Sequence, residues 1–479
     1  MVVDLIDILI LKISTRLKDS KRQMILKIPI PTYFIFFLIV GLASVYLYFG
    51  LSLSTAFSPY YGDEFFYVQN AKAFFEEGQL AASFTYSGFG SAVGGFDAHG
   101  PAYPLLYGGV HYLAPNDKFL IPILHLVLFL VSVLGIILRN TDSQFKLLQT
   151  AFLLCSPFLL FYSFSWMPEL IHFSGAVGLY LLVVAYQENK KKSAFLKIIC
   201  LILILGAFRS TWFLALVVLS ILKPDLKLFP KILLGLLALG LPFLFQKYLT
   251  EQVPNVFSES MELLGSGQLA AVFQALYINT KRNIYFLLTY SEGYFYWVWK
   301  IWVVAAVILG LQKLKHDPAL KFGITVFLIF LVFSVILYKT YKWTEWRMLT
   351  PMAVFISLRL LAIKSSWIPK STLLGLSLLS FILILPFQKQ IIQLRSDRGF
   401  LAIPESIVTK IKDLEQAIIL VDSGILNTYE MENLPISTKT EHIITYILPY
   451  YEQTQKEATH ILVEEDNQLI IFSRKILPQ

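Results

Sequence analysis

Long uninterrupted apolar runs limit this chain to one kind of architecture. Several of them reach the ~20 residues that a helix needs to cross the hydrocarbon core of a bilayer. Hydrophobic residues make up 56% of the 479 residues, and charged residues make up only 15%. Soluble domains carry about 25% charged residues. The sequence therefore predicts an α-helical polytopic membrane protein.

The apolar runs and the lysines and arginines between them predict about 11 transmembrane helices. The same charges place the N-terminus in the cytoplasm and the C-terminus outside. Residues 195–222 fit either one long helix with Arg209 in its middle or a hairpin of two short helices. Lysines lie both before and after this segment, and both groups need to be inside. The chain must therefore cross the membrane and return, which favours the hairpin. The other crossings are expected at about 29–50, 119–138, 146–165, 168–187, 230–248, 292–311, 320–338, 348–363 and 369–387.

Three parts of the chain differ in composition. Residues 1–28 are amphipathic and basic, which is typical of a cytoplasmic helix at the membrane surface. Residues 29–387 hold all the apolar runs, and within them the aromatic and Gly-rich segment 51–118 is too polar to span and forms a large external loop. In residues 388–479 the charge rises, which predicts a separate small extracytoplasmic α/β domain.

Short β-like runs and one helical pattern support the C-terminal α/β domain. The helical pattern covers 404–414, and Asp466 with Asn467 favours a hairpin turn between the last two strands. The strands are expected at 417–421, 461–464 and 469–473.

The net charge of +8 follows from membrane topology, because the basic residues lie mostly in short loops between apolar runs. It does not indicate a nucleic-acid partner. Both cysteines, Cys155 and Cys200, lie within apolar runs and are interpreted as small buried residues, so no disulfide framework is expected.

Ionisable residues from five parts of the chain fall at the predicted outer interface. Charges collect at interfaces because they are costly at greater depth, and this explains single residues such as Glu292 and Glu345. It explains the adjacent pair Asp63 and Glu64 less well, and Arg209 less well, since Arg209 has no neighbouring counter-ion in the sequence. The full set is Asp63, Glu64, Glu169, Arg209, Glu292, Glu345 and Arg347.

The pair Asp63 and Glu64 has two interpretations. Two carboxylates in one turn can hold a cation, orient an acceptor or provide a general base. Alternatively, Asp followed by Glu-Phe-Phe-Tyr is typical of a helix start. The two interpretations are compatible.

A second polar cluster lies in the same loop, at FDAHGPAYP (96–104). Its Gly and Pro residues favour a turn that aims Asp97 and His99. His99 then ligates a metal or binds phosphate or sugar, or it is a solvated loop histidine. Close His or Cys pairs at ligand spacing are not visible in the sequence, so the metal is left unknown and a divalent cation is left open.

Cationic groups for phosphate binding come from Arg209 and from the loop 339–347, which carries Lys342 and Arg347. Aromatic residues interleave with these cations. For most of the aromatic residues an interfacial belt is the better interpretation.

These motifs, in this order, resemble the GT-C superfamily of membrane glycosyltransferases, in particular protein O-mannosyltransferases and aminoarabinose transferases. The resemblance covers nearly all of residues 29–387 and departs from the family at 100–102, where many relatives have Pro-Pro. The motifs that carry it are GDEFFY (62–67), EG (77–78), HGPAYPL (99–105), SP (156–157), PE (168–169), Arg209 and RMLTP (347–351).

The resemblance implies inverting transfer of a sugar from a polyprenyl-phosphate-linked donor to a hydroxyl of a lipid, glycan or protein. Asp63 would be the general base, and Glu64 and Glu169 would position the acceptor or the sugar. The expected localisation is the bacterial inner (plasma) membrane. The predicted catalytic residues are Asp63 and Glu64, and the predicted substrate-binding residues are Tyr67, Asp97, His99, Glu169, Arg209, Lys342 and Arg347.

The alternative from a different class is a polytopic transporter of a lipid-linked or small solute. Transporters usually carry internal repeats and charges near the membrane midplane. The sequence shows neither an evident repeat nor a midplane charge apart from Arg359, which is expected to reach the inner interface. This favours the transferase.

Overall fold

The computed structural model describes most of the apolar part of the chain and a portion of the rest. The described residues are 62–78, 80, 84–85, 96, 99–113, 119–139, 142–250, 256–289, 293–338, 343–363, 367–397, 401–414, 417–421, 425, 428–430, 434, 442–445, 459–466 and 468–473. The segment 1–28, the first crossing at 29–50, Asp97 and Lys342 lie outside them.

Helices make up most of this part of the chain. In chain order they are α1 (Gly62–Glu77), α2 (Ala102–His111), α3 (Leu120–Arg139), α4 (Ser143–Leu154), α5 (Pro157–Tyr162), α6 (Glu169–Asn189), α7 (Lys192–Phe208), α8 (Leu219–Leu222), α9 (Leu228–Tyr248), α10 (Val256–Gly265), α11 (Leu269–Leu288), α12 (Tyr294–Lys313), α13 (Pro318–Ile336), α14 (Thr350–Ala362), α15 (Trp367–Asp397) and α16 (Glu405–Lys412). Three 3-10 helices add Ser210–Val218, Leu314–His316 and Trp343–Met348.

Six of these helices are long and apolar enough to cross a membrane: α3, α6, α9, α12, α13 and α15. Each coincides with a predicted crossing. Their outward faces are apolar, with Leu236 and Leu239 of α9 exposed to 65% and 72%. Such faces suit contact with lipid, and the architecture is that of a helical membrane protein.

The expected crossing at 146–165 is not one continuous helix. It consists of α4 and α5, which are separated at Cys155 and Ser156. Pro157 occupies the first position of α5, and Ser156 before it is extended, with φ −71° and ψ 128°. Proline removes an amide donor and disfavours the helical conformation in the residue before it, so the run breaks there.

Residues 192–222 form the predicted hairpin. Helix α7 ends where Arg209 turns extended, with φ −152° and ψ 108°, and a 3-10 helix runs back from Ser210. The return is visible at the far end, where Lys223 Nζ lies 5.7 Å from the ring centroid of Phe195. Gly206 permits the close approach, because a Cβ there would collide with the ring of Phe213.

The crossing expected at 348–363 is shorter than a membrane span. Helix α14 has 13 residues, and its side chains are almost all buried among other helices. The 3-10 helix Trp343–Met348, which contains Arg347, leads into it through Leu349. A short helix of this kind is tolerated where protein covers its ends.

A five-stranded sheet forms the non-helical part of the described structure. Its strands are β1 (Phe84–Thr85), β2 (Ala417–Val421), β3 (His442–Thr445), β4 (His460–Glu465) and β5 (Gln468–Ser473). The order is β1-β3-β2-β4-β5, with only the β4–β5 hairpin antiparallel. The predicted helix and all three predicted strands are confirmed within one or two residues at each end.

The sheet is not built from C-terminal residues alone. Strand β1 belongs to the loop 51–118 and pairs with β3. Phe65 and Phe66 of α1 are buried in the core under the sheet, together with Ile407, Ile411 and other apolar residues. Helix α15 also continues past the expected end of the crossing at residue 387, to Asp397. The sheet is therefore attached to the helices by α1 and β1, and α15 contacts α1 through Arg395 and Glu64.

The fold predicts that Lys410 and Lys192 lie on opposite sides of the membrane. Lys410 is exposed on α16, at the end of the helices where α1 lies, and Lys192 is exposed at the start of α7. Helix α7 is about 25 Å long at 1.5 Å per residue. Lys410→Cys and Lys192→Cys, in a background lacking Cys155 and Cys200, should react with an impermeant maleimide from opposite sides. Labelling of both from one side contradicts the arrangement.

Candidate functional site

Four of the predicted site residues form one connected charge network. Glu169 Oε1 accepts a hydrogen bond of 2.8 Å from Arg209 Nη2 and lies 3.5 Å from Arg347 Nε. Arg347 Nη2 in turn lies 3.4 Å from Asp63 Oδ2. Asp63, Glu169 and Arg209 have no neighbouring counter-ion in the sequence, so tertiary structure supplies their partners.

Local structure explains where each of the four side chains lies. Asp63 stands in the first turn of α1, and Glu169 is the first residue of α6, so both carboxylates sit at helix N-termini, where the backbone dipole favours negative charge. Arg209 occupies the break that ends α7, and Arg347 is near the end of the 3-10 helix before α14. All four positions are ends of elements, which meet at one end of the helical bundle.

The two carboxylates of the network differ in their exposure to solvent. The side chain of Glu169 is 1% exposed, whereas that of Asp63 is 27% exposed, and both arginines are 18% exposed. Within the described structure, Glu169 Oε2 is buried and has no hydrogen-bond partner. A buried carboxylate oxygen without a hydrogen-bond partner is costly. A bound molecule that donates a hydrogen bond to it would therefore be favoured at this position.

Glu64 is directed away from this network, although it adjoins Asp63. Its Oε1 accepts hydrogen bonds from Ser165 Oγ at 2.5 Å and from the Trp166 amide at 2.9 Å, and it is 3.1 Å from Arg395 Nη2. The side chains of Glu64 and Arg395 are 0% and 2% exposed. Glu64 thus joins α1, the segment before α6 and the extension of α15.

An aromatic cluster lies beside Asp63. The ring of Tyr67 is 4.7 Å from that of His99 and 5.0 Å from that of Tyr103, measured between centroids. Burial is the first cause that raises the pKa of the Tyr67 phenol well above its ordinary value, followed by the nearby Tyr103 and Asp63. Tyr67 therefore stays neutral at physiological pH, and its ring packs against its aromatic neighbours.

His172 links the aromatic cluster to the hairpin. Trp212 Nε1, which is only a donor, donates to His172 Nδ1 at 3.1 Å, and His172 Nε2 is 3.0 Å from the hydroxyl of Tyr103. Since Nδ1 accepts, the proton of the neutral ring is on Nε2. His172 lies one turn after Glu169 in α6, so these hydrogen bonds hold the helix turn next to the charge network in place.

Hydrogen bonds between uncharged groups anchor the backbone on either side of Arg347. Trp346 Nε1 donates to the carbonyl of Leu287 at 2.9 Å. Asn279 and Asn283 of α11 donate to carbonyls at the end of α13, including that of Tyr338 at 3.1 Å and 2.5 Å. These bonds anchor both sides of the segment that carries Arg347.

The outcome for the predicted residues is as follows. Asp63, Glu169, Arg209 and Arg347 come together, and Tyr67 and His99 belong to the adjoining aromatic cluster. Glu64 instead forms a separate buried pair with Arg395. Asp97 and Lys342 lie outside the described residues. Arg395, Asn279 and Asn283 were not expected from the sequence, and Trp346 was expected only as one of the aromatic residues between the cations of the loop 339–347. The signal for Arg395 was that the helical residues continue beyond 387.

Among the described residues, the charge network and the pair of Glu64 and Arg395 together contain as many carboxylates as guanidinium groups. Three carboxylates, Asp63, Glu64 and Glu169, meet three guanidinium groups, Arg209, Arg347 and Arg395. Among the described residues there is no cluster of three or more His, Cys, Asp or Glu side chains that could hold a metal. An incoming anion would therefore compete with these carboxylates for the N–H groups of the arginines.

No protein-family model matches the chain, and no curated protein sequence matches it either.

The buried pair predicts a large stability effect for Arg395. Arg395→Met leaves Glu64 charged and buried, which should cost about 3–5 kcal/mol and lower the unfolding midpoint in detergent. Adding Glu64→Gln to this variant should recover part of that loss, because the glutamine amide keeps an acceptor for Ser165 and Trp166 but carries no charge.

Arg139→Met is the matched control for this prediction. Arg139 pairs with Glu188, whose side chain is 59% exposed, and exposed pairs contribute about 0–1 kcal/mol. Equal losses for Arg395→Met and Arg139→Met would show that the pair of Glu64 and Arg395 is no more important than a surface contact.

Proposed function

We propose that this chain is a GT-C-type membrane glycosyltransferase. It moves a hexosyl or pentosyl group from a polyprenyl-phosphate-linked donor to a hydroxyl of a lipid, glycan or protein, with inversion. The observation that carries the proposal is the network in which Arg347 joins Asp63 to Glu169 and Arg209. It combines a reachable carboxylate with two guanidinium groups, which is what transfer from a phosphate leaving group requires.

The proposed reaction is a single displacement. Asp63 accepts the proton of the acceptor hydroxyl while that oxygen attacks the anomeric carbon from the face opposite the phosphate. The bond between this carbon and the phosphate oxygen breaks, and polyprenyl phosphate leaves with the electron pair. Arg209 and Arg347 stabilise the negative charge that develops on the departing phosphate.

Asp63, rather than Glu64, is assigned the role of general base. Its side chain is 27% exposed, and its contact with Arg347 is long, at 3.4 Å. Glu64 has three close partners and no exposed surface. A base must reach the substrate proton at hydrogen-bond distance, so Glu64 acts by holding the start of α1 in place.

Arg347 is the cation best suited to exchange partners. Its contacts with Asp63 and Glu169 are 3.4 Å and 3.5 Å, whereas Arg209 is 2.8 Å from Glu169. When Arg347 turns to the donor phosphate, Glu169 remains neutralised by Arg209. Asp63 is then released from its guanidinium partner and becomes a stronger base. Glu169 Oε2 is left to accept a hydrogen bond from the sugar or the acceptor.

The proposed topology has eleven crossings, with the N-terminus in the cytoplasm. The charge network, the aromatic cluster and the five-stranded sheet then lie on the outer face of a bacterial plasma membrane. Donor and acceptor would meet there, with the lipid tail of the donor between helices. A divalent cation is not assigned a role in this reaction.

The base assignment predicts that Asp63→Asn abolishes glycosyl transfer. The change removes the proton acceptor but preserves shape, so transfer should fall by on the order of 10²–10⁴-fold. The measurement is mass spectrometry of cell-envelope glycans in a strain that lacks the protein, complemented with each variant. The glycan that disappears on deletion should return with wild type and stay absent with Asp63→Asn.

Glu76→Gln is the control for this experiment, because Glu76 is on the same helix, is exposed and pairs only loosely with Lys72 at 3.9 Å. It should restore the glycan fully. Full restoration by Asp63→Asn, at a normal amount of protein in the membrane, would rule out Asp63 as the base.

Arg347 has a separate prediction. Arg347→Gln removes a cation that stabilises the leaving phosphate, so kcat/KM should fall by on the order of 10²–10³-fold in membranes supplied with polyprenyl-phosphate sugars. Arg139→Gln, at the other end of the bundle, should leave the rate unchanged. A variant of Arg347 with the wild-type rate would contradict the exchange mechanism.

One observation favours a transporter instead. The helical hairpin is broken at Arg209, and broken helices are common where transporters bind substrates. Purified protein in liposomes distinguishes the two functions. Movement of a solute or lipid-linked sugar without formation of a glycosylated product would support the transporter and exclude the transferase.

A further inference from the structure

A cavity of about 470 Å³ opens at the end of the bundle opposite the charge network. Its walls come from α8, the start of α9, the 3-10 helix Leu314–His316 and the start of α13. The volume is within the range of roughly 300–1,000 Å³ that is typical of small-molecule sites. The charge network and the mechanism proposed above make no use of this cavity.

Three lysines from three elements line the cavity: Lys231, Lys315 and Lys321. In the described structure Lys315 and Lys321 form no ion pair, and Lys231 donates one hydrogen bond of 3.0 Å to the carbonyl of Pro224. The carboxylates nearest in sequence are Asp225 and Asp317. Neither lines the cavity, and Asp317 is held by Arg359 at 2.7 Å.

The depth and surroundings of the cavity indicate an amphipathic ligand. Lys231 and Lys321 stand in the first turns of α9 and α13, two helices of membrane-spanning length, so the cavity lies where lipid headgroups lie. Beside it, α9 exposes Phe229, Ile232 and Leu236 to between 52% and 74%. Cations at headgroup depth beside an apolar helix face match a phosphate group carried on acyl chains.

From this juxtaposition we propose that the cavity binds the phosphate headgroup of an anionic phospholipid. Lys231, Lys315 and Lys321 surround the phosphate. The acyl chains lie along the exposed face of α9. The general preference for basic residues on one side of a membrane requires lysines in these loops, but it does not require them to converge on one cavity.

The test compares lipid binding by full-length protein in phosphatidylcholine nanodiscs. Labelled phosphatidylglycerol is titrated in, and its apparent Kd is measured by energy transfer from the protein. The variant Lys231→Gln/Lys315→Gln/Lys321→Gln should weaken binding on the order of a hundredfold, because each cation near the phosphate contributes about fivefold. The single variant Lys321→Gln should weaken it about fivefold, which covers the case in which the triple variant does not fold.

The variant Lys190→Gln/Lys191→Gln/Lys192→Gln is the matched control. It removes the same charge at the same end of the bundle, from exposed positions that do not line the cavity. It should change the Kd less than the single cavity variant does. Equal weakening by both triple variants would overturn the site in favour of diffuse attraction, and so would equal affinity of wild type for labelled phosphatidylcholine.

Glycerol 1-phosphate separates a lipid ligand from a soluble one. It carries the phosphate without the acyl chains and should compete only at concentrations at least a hundredfold above those of phosphatidylglycerol. Competition at similar concentrations would overturn the lipid assignment and indicate a soluble phosphate compound.

Discussion

Charges removed from water must meet counter-charges, and this constraint organises one whole end of the molecule. Glu64 and Arg395 are fully buried, and each is tolerable only because the other is present. Their contact fixes α1 against the extension of α15, while Ser165 and the Trp166 amide fix α1 against the start of α6. Phe65 and Phe66 then enter the core under the sheet. The position of Asp63 depends on all of these contacts.

Helix geometry explains why two adjacent carboxylates have different environments. Successive residues of an α-helix point about 100° apart, since there are 3.6 residues per turn. Glu64 therefore faces the protein interior when Asp63 faces the open side of the network. This separation suits the proposed chemistry, because the buried residue holds the helix rigidly and the exposed residue remains able to exchange a proton and a partner. Trp346 and Arg347 are also adjacent residues with different environments. The indole of Trp346 donates a hydrogen bond to the carbonyl of Leu287, whereas the guanidinium of Arg347 faces Asp63 and Glu169.

The two ends of the helical bundle differ in their electrostatics. At the end with the network, the described carboxylates pair with the guanidinium groups, so an incoming anion competes with them for the same cations. At the opposite end, lysines line a cavity that has no carboxylate among its lining residues, so an anion there does not compete with a carboxylate of the lining. The first arrangement suits a substrate that arrives and leaves. The second suits a resident lipid that helps to hold α8, α9 and α13 together.

The sequence by itself determined the features that depend on local physics. Hydropathy located the six long helices, and short apolar or helical patterns located three strands and α16, because each of these signals is carried by neighbouring residues. The positions of the lysines favoured the hairpin at Arg209. The sequence also singled out Asp63, Glu169, Arg209 and Arg347 as candidates, since charges beside apolar runs are costly. Only the tertiary structure decided the partners: Glu64 with Arg395, 331 positions apart, and β1 with β3. Such pairings depend on packing between distant segments, which no local pattern of hydropathy or charge encodes.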